Sequence, residues 1–419
     1  MSLSKLLTNK NYYFSIIKQE WINASDSFPD YLREINQDIK ENNEQYLNSS
    51  IDKIKKQIKR FHSLPILNDK WKRKTLLMFE DILLTEDILS VHQHISATTM
   101  NKFQDEITYF IQEVRNFAPE LAFEDIGQAA RNYIVYVMFK EMHNDTSGFN
   151  KAAFGYSMLY PFTDNYIDNK SITSQDKKNY NQLIYDQIKG KVTNPITVHQ
   201  QKTCKLIKAI ESLYPRDDTS IYDLLLMMLD AQEYSLQQQN KNHPLTNEER
   251  LDISIYKGGI SVLIDRYFVN KELTENDIIF YLGFGFFLQL ADDLQDIKED
   301  QLKGHSTLLT FDTNFKTEEK LVNKMIHFLN NLMRVYHPDN AAFRDFILSS
   351  SYLLIFSSVV GSKEFFSKSY LHTINTYLPF NQAFLNSLSD HKIENMNTKS
   401  RDPYMKRLDE LLKKRKKRW

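Results

Sequence analysis

The sequence has little glycine, proline or cysteine. Glycine and proline number 10 each in 419 residues, well below the roughly 7% and 5% of average proteins. Both residues mark turns and interrupt helices, and few segments here alternate strictly between apolar and polar residues or carry hairpin signals. The composition therefore predicts an all-α protein, and 42% hydrophobic residues suffice for a sizeable core.

Cysteine and long apolar runs are also scarce. Cys204 is the only cysteine, which excludes an intramolecular disulfide and a thiolate metal site and gives no sign of an oxidising compartment. The first residues, MSLSKLLTNKNYYF, lack the apolar core and cleavage site of a signal peptide. Runs such as LGFGFFLQLA stop near ten residues, whereas a spanning helix needs about 20. We therefore expect a cytoplasmic protein without an integral membrane segment.

The sequence also lacks an excess of positive or of negative charge. Lys and Arg total 53 against 54 Asp and Glu, for a net charge of −1, so no global field attracts nucleic acid. The one strong asymmetry is the C-terminal KKRKKRW, Lys413 to Trp419. It has two interpretations, a solvated tail or a contact with phosphates or anionic lipid.

Apolar residues recur at helical spacing along most of the chain, as in ARNYIVYVMFKEM and IYDLLLMMLDAQEYSL. Polar breaks separate these patterns at residues 143–148, 192–197, 214–220 and 240–249. The predicted organisation is an N-terminal helical extension (residues 1–100), a catalytic helical domain (101–390) and a polar, then basic, tail (391–419). The extension has two candidate roles, closing a pocket or forming the face of a homodimer.

The segment GFGFFLQLADDLQDIKED joins an apolar run to a dense set of acids. Asp292, Asp296 and Asp300 are spaced by four, so on a helix they share one face, where like charges repel. Mg²⁺ prefers carboxylate oxygens and commonly shares them with substrate phosphates. The pattern therefore indicates a metal site that includes Asp293, with Gln289 one turn upstream; a solvated acidic face is the alternative.

A second acid pair, Asp164 and Asp168, occurs in LYPFTDNYIDNK after the aromatic helix AAFGYSMLYPF. A lone pair of this kind is usually a solvated face. Two acidic faces opposite each other across a pocket, however, would hold several Mg²⁺ ions and, through them, a diphosphate.

GFFLQLADDLQD resembles the second aspartate-rich motif of trans-isoprenyl diphosphate synthases, G-x-x-F-Q-x-x-D-D-x-x-D, with Leu288 in place of the Phe. KGHSTLL is similar to that family's G-K-x-T-L segment, with His305 in place of the Lys. YKGGISVL resembles its K-T-x-x-L helix, which implies that Lys257 binds the diphosphate. AQEYSLQQ resembles the glutamine-bearing helix before it, at Gln232. The order and spacing agree over residues 150–310.

The first motif departs from that family. DNYID is closer to the D-x-x-x-D of squalene and phytoene synthases, no Arg pair follows it, and no K-x-x-R-P-like segment lies upstream. Asp292, Asp296 and Asp300 also fit the spacing of the second metal motif of terpene cyclases. There Asp296 stands where a hydroxyl residue is usual, and Asp300 where a Glu is. Pro161, just before Asp164, is expected to kink or restart its helix.

The resemblance implies a class I terpenoid-synthase-like helical bundle around a central cavity. It implies a Mg²⁺ cluster of up to three ions and a prenyl diphosphate substrate, which is ionised and then cyclised or loses a proton. A trans-prenyltransferase, chain-elongating or head-to-head, and a non-catalytic scaffold are the alternatives.

The diphosphate is expected at Lys257, Gln289 and Lys303. The cavity is expected to be lined by Phe154, Tyr156, Tyr160, Gln232, Phe284 and Phe287, although such aromatics are also typical of an ordinary core, and Lys257 of an ordinary surface.

Overall fold

In the computed structural model, helix is the only regular secondary structure among the described residues, which are 6–61, 65–169, 171–217, 219–240, 244–310, 314–389 and 407. The all-α prediction is therefore confirmed for them. Of the predicted C-terminal tail, only Arg407 lies within the described residues. The helices are α1 (Lys10–Asn23), α2 (Gln37–Lys59), α3 (Pro65–Thr85), α4 (Val91–His94), α5 (Ala97–Phe117), α6 (Phe123–Met142), α7 (Lys151–Asp168), α8 (Ser174–Ile188), α9 (Val198–Glu211), α10 (Thr219–Ser235), α11 (Asn247–Val269), α12 (Glu275–Gln295), α13 (Ile297–Lys303), α14 (Phe315–Val335), α15 (Ala341–Gly361), α16 (Lys368–Tyr377) and α17 (Gln382–Ser389), with short 3₁₀ turns at Leu236–Gln239 and Lys363–Phe365.

The chain divides into two compact units. Unit 1 comprises Met1–Pro29 and Glu120–Arg344, and unit 2 comprises Asp30–Pro119 and Asp345–Trp419. All predicted site residues belong to unit 1. The sequence-based division at residues 100 and 390 stays a prediction.

Helix α11 is the centre of unit 1. It packs against α6, α7, α10, α12 and α1, and most of its residues are buried. A helix buried on almost every side needs apolar residues around its whole circumference, which the segment ISIYKGGISVLIDRYFV supplies. Its partner α12 is equally apolar until its last turns.

Local capping sets where these helices begin. Thr246 accepts from the backbone N–H of Glu249, and Glu249 accepts from the backbone N–H of Thr246 in return, at 3.2 and 2.7 Å. Thr274 and Asp277 repeat this reciprocal pair at the start of α12. Such capping boxes satisfy backbone donors that the first turn leaves free, so the starts of both central helices are encoded locally.

Two glycines allow α11 and α12 to cross at close range. A Cβ atom on Gly258 would lie 2.2 Å from the carbonyl oxygen of Gly285, and one on Gly285 would lie 2.1 Å from that of Gly258. No larger residue fits without separating the helices. This crossing brings the turn that carries Lys257 beside the turn that carries Gln289, since a Cβ atom on Gly258 would also lie 2.8 Å from the Cβ atom of Gln289.

Among the residues that the structure describes, one helix, Ala341–Gly361, is long and apolar enough to cross a membrane by length and composition. Of its most apolar window, 44% is buried inside the protein. A core helix of a soluble protein passes the same test, so this helix is weak evidence for a membrane span.

Candidate functional site

The acidic segment spans two helices rather than the single helix that its spacing predicts. Helix α12 ends at Gln295, and Asp296 (φ −99°, ψ 5°) is both its C-cap and the N-cap of α13. The backbone N–H of Asp296 still donates to the carbonyl of Asp292 at 3.0 Å, and that of Asp300 to Asp296 at 2.8 Å. The one-turn spacing of the acids therefore continues across the junction.

Asp293 is the buried member of this segment, with 5% of its surface exposed. Its Oδ1 accepts from the side-chain amide of Gln289 at 2.9 Å, while its Oδ2 is buried with no hydrogen-bond partner among the described residues. Burial raises the pKa of Asp293 to about 7; Asp292 and Asp300 act in the same direction, and Gln289 and Lys257 oppose them. A buried carboxyl oxygen without a partner is costly, and a bound cation would relieve that cost.

Asp296 shares this electrostatic environment although much of the residue is exposed. Partial burial of its carboxyl group raises the pKa to about 6, and the neighbouring Asp292, Asp300 and Glu299 add to the shift. Arg131 on α6 acts in the opposite direction. No sequence motif marks Arg131, because its segment has only the pattern of an apolar helix.

Asp300 has a partner of its own. Its Oδ1 lies 3.0 Å from Nδ1 of His305, which follows the Gly304 turn. Burial raises the pKa of Asp300 and His305 opposes the rise. Lys303, predicted to bind a diphosphate, pairs with Glu299 at 2.5 Å on the exposed side of α13, so its role at a diphosphate stays a prediction.

Lys257 is a second basic residue of this region, besides Arg131. It is half-buried on α11, and neither a hydrogen bond nor an ion pair engages its ammonium group among the described residues. It lies near enough to Asp293 to lower the pKa of that carboxyl group. The structure thus brings Lys257 and Gln289, predicted to bind a diphosphate, close to Asp293, predicted to bind a metal; these roles stay predictions.

Asp164 lies on α7, which begins at the N-cap Asn150 and continues through Pro161. Its Oδ1 accepts from the side-chain amide of Gln232 on α10 at 3.0 Å and from Thr163 Oγ1 at 3.2 Å. Gln232 thus holds the first acid of the pair, and its predicted place in the lining of a cavity stays a prediction. Asp168 is the last residue of α7, and its side chain lies outside the described part of the chain.

The two tyrosines one and two turns before Asp164 face α11. The hydroxyl groups of Tyr156 and Tyr160 are 3.5 Å apart; Tyr156 donates to the Ser261 carbonyl at 3.4 Å, and Tyr160 bonds the Ser261 hydroxyl. Ser261 is one turn from Lys257 on α11. The predicted adjacency of Tyr156, Tyr160 and Asp164 along one face of α7 is consistent with these contacts.

Asp265, one turn beyond Ser261, is fully buried. Its Oδ2 accepts from the Asn132 amide at 3.0 Å, Asn132 in turn accepts from the Ser157 hydroxyl at 2.7 Å, and Oδ1 of Asp265 has no hydrogen-bond partner in the described structure. Burial raises the pKa of Asp265 well above its ordinary value. In the sequence, the only signal for this residue is a single Asp inside the apolar run ISVLIDRYFV, which belongs to no motif.

The predicted aromatic lining is packed. Phe284 lies 5.7 Å from Phe287 between ring centroids and stacks on Phe280 at 5.9 Å, and Phe154 lies 5.7 Å from Phe149. Clefts of about 580, 420 and 370 Å³ open elsewhere on unit 1, and no predicted site residue lines them. Whether these rings line a substrate cavity stays a prediction.

The donor chemistry of the acidic segment fits a hard cation, since it offers carboxylate oxygens and one of them is buried without a partner. Among the side chains that the structure describes, however, no group of three or more His, Cys, Asp or Glu residues is arranged to hold a metal ion. Comparison with protein-family models, curated proteins and solved structures finds no match.

Proposed function

We propose that this protein is a Mg²⁺-dependent class I terpenoid synthase, which ionises a prenyl diphosphate and cyclises the resulting carbocation or removes a proton from it. One observation carries the proposal. At the end of a long apolar helix, the buried carboxyl oxygen of Asp293 lacks a hydrogen-bond partner among the described residues. The half-buried Lys257, engaged in no ion pair there, lies near enough to lower the pKa of Asp293. This combination suits a group that brings cations and negative oxygens together, as a metal-bound diphosphate does.

In the proposal, Asp292, Asp293, Asp296 and Asp300 on one side and Asp164 and Asp168 on the other would hold Mg²⁺. When bound, the metal would supply Lewis-acid stabilisation of the leaving diphosphate. Lys257 adds a fixed positive charge to the same leaving group, and Gln289 and Gln232 orient Asp293 and Asp164 through the hydrogen bonds at 2.9 and 3.0 Å.

The apolar faces of α7, α11 and α12 would receive the prenyl chain. Aromatic rings there stabilise a carbocation through their negative faces, and buried apolar surroundings exclude water that would quench it. Substrate entry requires that rings such as Phe284 and Phe287 move from the packed positions described above. We place the enzyme in the cytoplasm as part of the same proposal.

The second candidate is a trans-prenyltransferase. The hydrogen bond between Gln289 and Asp293 favours it, because these residues belong to the Q-x-x-D-D-x-x-D segment that resembles transferases. The lack of an Arg pair after Asp168 favours the synthase over an elongating transferase.

The test is diphosphate release by the purified full-length protein. Geranyl, farnesyl and geranylgeranyl diphosphate are supplied with Mg²⁺ or chelator, with and without isopentenyl diphosphate, and the organic products are identified. We expect Mg²⁺-dependent release of hydrocarbon or alcohol without isopentenyl diphosphate. Asp292→Asn should abolish release, whereas Asp105→Asn, a change at another exposed aspartate, should leave it unchanged.

Three other results would contradict the synthase. Release only with isopentenyl diphosphate, giving longer diphosphates, would make the protein an elongating transferase, and formation of a head-to-head product would make it a squalene-type enzyme. No release from any of these substrates, together with Mg²⁺-independent thermal stability, would favour a non-catalytic scaffold.

A further inference from the structure

Two neighbouring helices of unit 2 carry a strongly basic surface. The C-terminal half of α2, IDKIKKQIKR, exposes Lys53, Lys56, Lys59 and Arg60. Lys53, Lys56 and Lys59 follow one another at spacings of three, and the C-cap Arg60 is four residues from Lys56, so the four cations share one face. The acidic residues of α2 before this segment lie in its first half, at Asp38, Glu41 and Glu44.

The N-terminal half of α3 continues the same charge. Lys70, Arg73 and Lys74 are exposed, and Leu67 and Leu77 beside them are 40% and 54% exposed. At 100° per residue these five positions fall on one side of α3, whereas the buried Trp71 and Thr75 fall on the other. Leucines and cations therefore share the solvent face of this helix.

Packing between the two helices joins the two basic segments. The indole N–H of Trp71 donates to the Gln57 carbonyl at 2.7 Å, and the Gln57 amide donates to Thr75 Oγ1 at 3.1 Å. All three residues are buried. The basic end of α2 is thereby fixed beside the basic start of α3.

This positive charge is not neutralised within the described structure. Asp52 and Asp69 are the only acids in residues 51–60 and 67–77, and no ion pair joins the seven exposed cations to an acid among the described residues. The dipole of α2 favours cations at its C-terminus, but that of α3 does not favour them near its start. In a chain of net charge −1, these seven cations therefore form a concentrated positive surface, and the dipole of α3 opposes its part of that surface.

We propose that this basic surface of α2 and α3 docks the protein onto an anionic lipid bilayer. Cations near such a membrane are attracted to its negative surface, and exposed leucines among them can enter the interface between headgroups and acyl chains. Single-stranded nucleic acid is the less suitable partner, because it is bound largely by stacking on aromatic rings, and Trp71 on this segment is buried. The proposal does not depend on the enzymatic function proposed above.

The test is flotation of the full-length protein with phosphatidylcholine vesicles that contain or lack phosphatidylserine, at low and high salt. We expect binding only to the anionic vesicles, and weaker binding at high salt. The variant Lys56→Gln/Lys59→Gln/Lys70→Gln/Lys74→Gln should lose at least about 100-fold in partitioning. The control Lys178→Gln/Lys189→Gln/Lys205→Gln/Lys208→Gln removes four other exposed lysines and should bind as the wild type does.

Two further arms complete the design. The variant Leu67→Ser/Leu77→Ser should weaken the binding to anionic vesicles that remains at high salt, and unchanged binding would refute insertion of the leucines. Equal losses in the two quadruple variants would show that total charge, not this surface, governs binding. Failure of the wild type to float with anionic vesicles, or tighter binding to single-stranded RNA than to those vesicles, would overturn the proposal.

Discussion

Gly258 and Gly285 meet where α11 crosses α12, so closely that a Cβ atom on either residue would lie about 2 Å from the other's carbonyl oxygen. This crossing determines how near Lys257 lies to Asp293. Any side chain at Gly258 must therefore separate the two helices, with consequences for stability and for the proposed diphosphate site.

Gly258→Ala is expected to lower the free energy of unfolding by about 1 to 3 kcal/mol, the range typical of overpacking. Gly127→Ala is the matched control, since Gly127 also lies within a helix but a Cβ atom added there would have nothing within 4 Å. That change should stabilise the protein by about 0.5 to 1 kcal/mol. Urea-induced unfolding measures both, and equal stability of the two variants would contradict the close crossing.

Lys257→Gln is expected to lower kcat/KM for diphosphate release by about 100-fold, because a fixed charge on the leaving group is lost. Lys205→Gln, at an exposed lysine on α9, serves as the control. Binding of inorganic diphosphate with Mg²⁺, measured by calorimetry, should weaken in the first variant only. Unchanged kinetics in Lys257→Gln would remove this residue from the site.

Gln232→Leu removes the amide that donates to Asp164 Oδ1. Asp164 would then lose a group that orients it, and we expect the Mg²⁺ concentration for half-maximal activity to rise about tenfold, in line with losses seen when outer partners of metal ligands are removed. Gln232→Glu should be worse, because it sets a second negative charge against Asp164. A merely structural role would lower the melting temperature without moving the Mg²⁺ dependence.

Asp265→Asn tests the buried carboxyl group through the pH dependence of stability. Because the pKa of Asp265 is raised in the folded protein, its favourable contribution is complete below the unfolded-state pKa near 3.8 and is lost as pH rises towards the folded-state pKa. Over that range the wild type should lose up to about 1.4 kcal/mol per pH unit relative to the variant.

Urea unfolding of the wild type and of Asp265→Asn, from pH 4 upwards, measures the difference between their free energies of unfolding. It should be small near pH 4 and increase steadily in favour of the variant. A difference that stays constant with pH would show that Asp265 titrates normally in the folded protein.

Much of this protein was determined by its sequence alone. Scarcity of glycine and proline, apolar residues at helical spacing and polar breaks predicted an all-α chain, and the helices do end near those breaks, as at Met142 and Ile188. The acids from Asp292 to Asp300 were visible because their spacing of four is a local property. Lys257 and Gln232 are predicted as site residues through motif resemblance, because the spacing of apolar and charged residues does not mark them.

Tertiary structure decided what local spacing cannot encode. Oδ2 of Asp293 has no hydrogen-bond partner among the described residues, and Asp265 is buried, because of the helices that surround them. The pKa of each carboxyl group responds to that three-dimensional environment. The pairing of Gln232 with Asp164 joins residues on separate helices, and the basic surface exists because Trp71 packs on Gln57. Sequence determines each helix and its faces, whereas packing between distant segments decides which charged groups lose water and which keep it.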